Sequence, residues 1–287
     1  MRLFLVRHGE SVDNVAGLYA GSRDSSLTNH GVLQARRLGI HLASRSSTIG
    51  PVQHIFSSNL QRAVKTAEAV AEAQSGIAGV QDIPVAVQLA ELREKNFGSE
   101  EGKRFGTRHQ SAEFPARPAD WVEPESRGAM KIRVDRFIDA HLVPTVLRGF
   151  DSDRNHSVVV VAHGIILNVI LSCLLARFGP EELARLSRPS DASGRPESLA
   201  SWSNTGYLEA NLRLLKTNTA TASAAIRMTV QSVNCNHHLA GLKKTRGGIG
   251  SAAFDPKQKT MDSLLSRAAK KPKLGNDGGG VSSGASS

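Results

Sequence analysis

The stretch RLFLVRHGES, residues 2–11, runs from apolar side chains straight into an arginine, a histidine, a glycine and a glutamate. Leu3, Phe4, Leu5 and Val6 are too few for a helix and fit a strand buried on both faces, as in a parallel sheet. Arg7 and His8 then leave the strand at its carboxyl end, where Gly9 lets the backbone turn and approach a ligand, and Glu10 and Ser11 begin a polar segment. The design recurs downstream, where SVVVVA, residues 157–162, leads into His163 and Gly164 and then into an apolar helical pattern over 165–175. As neighbours in a parallel sheet, the two strands deliver both imidazoles to the crevice outside their carboxyl ends, where open α/β sheets bind ligands. With an arginine beside them, the expected ligand is an anion.

Outward from these strand ends, residues 12–31 read as a polar loop long enough to line a pocket. Asn14 offers an amide donor to a phosphate oxygen, and Gly21 allows a close backbone approach. Thr28 caps a helix that carries Val32, Leu33, Ala35, Leu38 and Leu42 on one stripe to about Ser44, with Gln34, Arg36 and Arg37 facing solvent. His54, Ile55 and Phe56 form a second strand ending at Ser57 and Ser58. Arg62 lies one turn into the helix that follows, where free N–H groups and a guanidinium suit an oxyanion; by residue type alone a solvent-facing charge is the commoner fate. A third strand is expected over 83–87. A helix over 131–147 brings Ile132, Val134, Phe137, Ile138, Leu142 and Val146 to the sheet, and 199–214 adds a last strand or two with Trp202, Tyr207 and Leu208 partly buried. Residues 103–130, rich in Pro, Arg and Glu, read as an inserted lid whose Lys103, Arg104 and Arg108 meet an anionic substrate or simply face water.

A chain of 287 residues, 40% hydrophobic, accommodates one sizeable globular domain and an extension. Cys173 and Cys235 form no disulfide framework and suit a reducing compartment, so a cytoplasmic or nuclear home is expected. The four-residue apolar run after Arg2 is far short of a signal-peptide core. Residues 158–176 carry no formal charge over nearly a bilayer's thickness, but His163, Gly164 and Asn168 interrupt them where a strand hands over to a helix, so a membrane span is not the reading.

Residues 1–215 are expected to form the catalytic domain, 216–236 a connecting segment, and 237–287 a basic, Gly/Ser/Lys-rich tail unable to build a core. Of the net charge of +10, that tail supplies nine Lys and Arg against three Asp, leaving the domain mildly basic. Lys243, Lys244, Arg246, Lys270, Lys271 and Lys273 fit nuclear import, a nucleic-acid contact or plain solvation. Gln258, Met261, Leu264 and Leu265 in QKTMDSLL resemble a PCNA-interacting peptide, with leucines where the aromatic pair belongs. Cys235, His237 and His238 have metal-ligand chemistry but no second cluster, and neither metal nor cofactor is expected.

RHGE at 7–10, Asn14, SSNLQRAVKTAE at 57–68, Glu91 in ELREKNFGSEEG and AHG at 162–164 together resemble the histidine phosphatase superfamily, also called phosphoglycerate mutase-like, over roughly residues 1–211. The resemblance implies a three-layer α/β/α sandwich with a mostly parallel sheet. It also implies metal-independent phosphomonoester hydrolysis through a phosphohistidine on His8. Arg7, Arg62, His163 and Asn14 would hold the phosphoryl oxygens, Gly21 and Gly164 would border them, and Glu91 would serve as general acid and base. On chemistry alone Glu94, Glu100 and Glu101 compete with Glu91, and His163 competes with His8. Gly98 and Gly102 resemble the loop that closes that side of the pocket. The long tyrosine- and lysine-containing segment of the mutases is missing after Glu91, and Asp13 stands where they often carry an aromatic residue, so the resemblance is to the phosphatase branch. Phosphoglycerate mutase-type transfer is the alternative. A nuclear interaction protein docking PCNA or nucleic acid through its tail is the alternative of another class. The expected substrate is a small phosphorylated metabolite or a phosphoprotein.

Overall fold

The computed structural model describes residues 1–77, 83–106, 118–150, 155–182, 199–215, 226–243 and 249–255. Strand β1 (Arg2–Arg7) is followed by helices α1 (Val12–Ala16), α2 (Asn29–Ser44) and α3 (Ser46–Ile49), then β2 (Val52–Ser58), α4 (Gln61–Glu72) and β3 (Ala86–Leu89). After these come α5 (Arg127–Phe137), a π-helical turn (Ile138–Leu142), α6 (Val143–Phe150), β4 (Ser157–Ala162), α7 (Gly164–Phe178), β5 (Tyr207–Leu214) and β6 (Ile226–Cys235). The strands lie in the order β3-β2-β4-β1-β5-β6; β1 to β4 are mutually parallel, and β5 is antiparallel to both its neighbours.

Successive side chains of β1 go to opposite faces, and both faces are covered. Leu3 and Leu5 pack with Val134, Phe137, Ile166 and Ile170 of α5 and α7. Phe4 and Val6 pack with Leu38 and Leu42 of α2 and Ala67 and Val70 of α4. Every residue of β4 is buried, which is why both histidine strands read as unbroken apolar runs. Each such leucine or valine contributes about 1.5–3 kcal/mol on burial. The result is the expected three-layer sandwich.

β1 and β4 are adjacent, with Arg7 level with Ala162, so His8 and His163 leave the sheet side by side. The helices that follow cover opposite faces: α2 packs beside Phe4 and Val6, α7 beside Leu3 and Leu5. The chain diverges there, opening a crevice at a topological switch point.

Several local expectations are corrected. Ser11 and Asn14 form a capping box that starts α1 inside the supposed loop. Thr28 does cap α2, its Oγ1 accepting from Gly31 N at 3.0 Å. Gln34, however, is buried and accepts from Glu10 N at 2.9 Å, while Leu33 is exposed. Gly9 serves chain crossing as much as ligand approach, since a Cβ there would sit 2.6 Å from the Gly31 carbonyl oxygen. Ile132 is exposed, and the helix expected over 131–147 begins at Arg127 and passes through the π-turn. The third strand begins at Ala86 rather than 83.

The domain boundary also moves. Residues 226–235, assigned to a connecting segment, are β6, with Ile226, Met228 and Val230 alternating inward. Part of the supposed tail is ordered against the domain: Arg37 donates to the Ala240 carbonyl, Asn29 N to Ala252 O, and Phe254 N to Leu27 O. Backbone pairing holds this segment where apolar content alone does not. Residues 1–254 form one compact unit. Arg108 and the peptide containing Gln258, Met261, Leu264 and Leu265 lie outside the described residues, as do Lys244, Arg246, Lys270, Lys271 and Lys273. No helix among the described residues is long and apolar enough to cross a membrane.

Candidate active site

At the carboxyl ends of β1 and β4 a cavity of about 340 Å³ is floored by Arg7, His8, Asn14, Arg62, Glu94 and His163. The two imidazoles have ring centroids 4.9 Å apart, and His8 N donates to Ala162 O at 3.0 Å, locking one strand end to the other.

Hydrogen bonding fixes the tautomers. His8 Nδ1 lies 2.6 Å from the Gly9 carbonyl oxygen. A carbonyl only accepts, so Nδ1 carries the proton and Nε2 keeps its lone pair. His163 is the reverse, because Arg62 Nε donates to its Nδ1 at 3.2 Å and a guanidinium only donates. His163 therefore bears its proton on Nε2, which is buried and has no hydrogen-bond partner among the described residues. The pair is a nucleophile beside a donor.

Both rings are held neutral. Burial, then the charges of Arg62 and Arg7, push the His8 pKa well below the usual imidazole range. Burial and Arg62, followed by His8 and Arg7, do the same to His163.

The arginines are fixed by backbone carbonyls. Arg7 Nη1 donates to Trp202 O at 2.6 Å, and its buried Nε is unpaired among the described residues. Arg62, 1% exposed, is the second residue of α4 rather than a turn in, and its terminal nitrogens donate to the carbonyls of Arg23, Ala20 and Gly21. Gly21 thus holds Arg62 instead of lining the cavity. It must be glycine, because a Cβ would lie 1.9 Å from Lys95 O. Gly164, the first residue of α7, does line the cavity. Asn14 accepts from Ser11 N at 3.2 Å and from Asn204 Nδ2 at 3.0 Å, which leaves its own amide N–H groups to donate.

The carboxylate in the cavity is Glu94. Its oxygens accept from the backbone N–H groups of Ile165 and Ile166, each at 3.0 Å, so it caps α7 from outside the helix. Glu91, to which the resemblance gave the acid–base role, does not line the cavity: it lies in the turn Ala90–Leu92, its carbonyl accepting from Arg133 Nη1 at 2.6 Å. The turn after β3 shifts the register by three residues, and Leu92, fully buried, anchors it. Glu101 is also structural, accepting from the N–H groups of Gly21, Ser22 and Phe97.

Asn204 and Thr205 were passed over in the sequence reading. Asn204 Nδ2 also donates to His8 O at 3.2 Å, and Thr205, with φ of 55°, directs its N–H to the carbonyls of Arg7 and His8. The signal was the turn-forming Asn-Thr-Gly before β5. Of the three residues with metal-ligand chemistry, Cys235 Sγ lies 3.7 Å from His237 Nδ1, while His238 Nε2 pairs with Thr205 Oγ1 at 3.0 Å.

Residues 3–193 match the model of the histidine phosphatase superfamily (branch 1). The Schizosaccharomyces pombe protein named "Probable phosphatase C1620.13" is 32% identical over 265 residues, covering 92% of this chain and 79% of its own. The adenosylcobalamin/alpha-ribazole phosphatase of Salmonella typhimurium is 35% identical over 182 residues, covering 61% of this chain and 80% of its own. Among solved structures, a mycobacterial glucosyl-3-phosphoglycerate phosphatase has the same fold, with a TM-score of 0.58 and 24% identity over 81% of this chain and 98% of its own. The chain belongs to the histidine phosphatase superfamily and is a phosphatase.

Proposed function

We propose that the protein hydrolyses a phosphomonoester in two steps through a phosphohistidine on His8, with Glu94 as general acid and then general base. The observation that carries this reading is the opposite tautomers of the two histidines. His8 Nε2 attacks phosphorus as the ester P–O bond breaks, and the departing alkoxide takes a proton from Glu94. In the second step Glu94 takes a proton from water as the water oxygen bonds to phosphorus. The P–N bond breaks, inorganic phosphate leaves and His8 returns to its starting form.

Throughout, Nδ1–H stays bonded to the Gly9 carbonyl, which stabilises the positive charge on the phosphorylated ring. Arg7 Nε, His163 Nε2 and the Asn14 amide supply fixed donors to the equatorial oxygens, a role that water or a metal ion would otherwise fill. The mycobacterial neighbour is described in complex with VO3, an analogue of the transferred group.

The test is turnover of a panel of phosphomonoesters in EDTA by the full chain, with His8→Ala as control. Hydrolysis by the wild type, lost in the variant, is expected; no hydrolysis between pH 5 and 8 would overturn the reading. Transfer of the phosphoryl group to a second hydroxyl, with no inorganic phosphate released, would replace hydrolysis by a mutase reaction, the activity named for relatives such as the phosphoglycerate mutase of Azorhizobium caulinodans.

A further inference from the structure

The cavity changes character from floor to mouth. Its buried His8, Arg62 and His163 are polar, but the lining also includes Leu18, Phe97, Phe105, Ile165 and Trp202. Phe105 is 55% exposed and Ile165 39%, so apolar surface faces water at the entrance.

This wall is built rather than incidental. Tyr19 packs against Phe97 at 4.7 Å and edge-on to Phe105 at 4.4 Å between ring centroids. The backbone beneath is tied in three places, Tyr19 N to Lys103 O, Gly102 N to Tyr19 O, and Phe105 N to Gly17 O.

Charge is confined to the floor. Among the described lining residues the only cations are Arg7 and Arg62, and Glu94 opposes them. With both imidazoles neutral and Glu94 carrying the proton its acid role needs, the two guanidinium charges are matched by one phosphoryl dianion. Of the neighbouring lysines, Lys103 Nζ bonds Glu100 and lies 5.0 Å from the Trp121 ring centroid, while Lys95 Nζ lies over the Phe97 ring at 5.8 Å. A second phosphate or a carboxylate laid against Phe105 or Ile165 would lose hydration to side chains that return no hydrogen bond.

We infer that the substrate carries a single anionic group, the scissile phosphate, on an alcohol whose flat apolar ring rests on the wall made by Phe97, Phe105 and Ile165. This rests on the phosphatase reading and narrows it. Bisphosphates and phosphorylated carboxylic acids, the substrates of a phosphoglycerate mutase, do not match the wall.

Benzyl phosphate, glycerol 3-phosphate and 3-phosphoglycerate test the inference, because all three release an alkyl alcohol and differences report binding rather than leaving-group acidity. Benzyl phosphate is expected to exceed the other two in kcat/KM by roughly tenfold, chiefly through KM, since a half-exposed phenyl wall recovers part of the ring's burial energy. Phe105→Ser, checked for folding by circular dichroism, is expected to reduce that selectivity to about twofold. Turnover of 3-phosphoglycerate equal to or better than that of benzyl phosphate overturns the inference, as does a Phe105→Ser variant with undiminished selectivity. If none of the three is hydrolysed, the phosphatase reading fails while the wall is still tested, by calorimetric titration with benzylphosphonate and methylphosphonate. Tighter binding of the benzyl compound supports the inference and equal binding overturns it.

Discussion

Arg62 Nε and His163 Nδ1 are 3.2 Å apart, joined by a hydrogen bond in which only the arginine can donate. That bond turns the His163 proton toward the cavity and leaves His8 as the ring with a free lone pair. The remaining guanidinium N–H groups hold the 20–23 loop, so Arg62 orients at least as much as it binds. A lysine keeps the charge but not the fork. Arg62→Lys is therefore expected to lower kcat/KM about 100- to 1,000-fold, as loss of a preorganised donor does. A fall of less than threefold in steady-state assays would contradict the assignment.

Glu94 and Glu91 separate by leaving-group dependence. If Glu94 protonates the departing oxygen, Glu94→Gln slows alkyl phosphates by about 100- to 10,000-fold. It slows p-nitrophenyl phosphate, whose phenolate leaves unaided, far less in its first step. Glu91→Gln is expected to change neither substrate's rate more than about twofold, the behaviour of a surface substitution. Equal losses in the two variants would remove Glu94 from the reaction.

The acid limb of kcat/KM follows from the depressed pKa values of His8 and His163. Both rings stay neutral well below pH 6.5, so no imidazole limb is expected there. The limb should instead track the substrate's second phosphate ionisation, about 6 for a typical monoester, and move when that pKa is changed. Stability follows the same sign. Burial, with His41, His237 and Arg37, also lowers His238 to about 4. An unfolded chain takes up protons at these positions near pH 6.5 while the folded protein does not, so stability is full above that pH and is lost as pH falls from 6.5 toward 4. Tm should drop across that window, and a Tm that rises would contradict the buried neutral histidines.

The central design was legible in sequence because it is local. Two apolar strands too short for helices, each ending in His-Gly, fixed β1, β4 and the placing of His8 and His163. Glu94 was not legible, since the three-residue turn at Ala90–Leu92 decides which glutamate reaches α7, and nothing in ELREKNFGSEEG sets its register. β6 was legible and passed over: Ile226, Met228 and Val230 alternate with polar residues as a half-buried strand does. The burial of Gln34 was not, because it depends on the Glu10 N–H of another element, which donates to its Oε1.

His238 links the ordered part of the carboxyl-terminal segment to the site. Its Nε2 bonds Thr205 Oγ1, and the Thr205 N–H reaches the carbonyls of Arg7 and His8. His238→Ala is expected to cost about 1 kcal/mol in urea unfolding, the worth of one such bond. It should also raise KM more than it lowers kcat, because phosphate-binding geometry is disturbed while the His8 tautomer is kept. Unaltered KM together with unaltered stability would show that this contact carries no weight.

The phosphoenzyme itself is the most direct test. Rapid mixing with substrate, an alkaline denaturing quench, peptide mapping and phosphorus NMR would locate the transferred group. The expected product is a single phosphohistidine at Nε2 of His8, absent from His8→Ala. Phosphate on His163, attachment at Nδ1, or turnover without any phosphohistidine would contradict the opposed tautomers on which the mechanism stands.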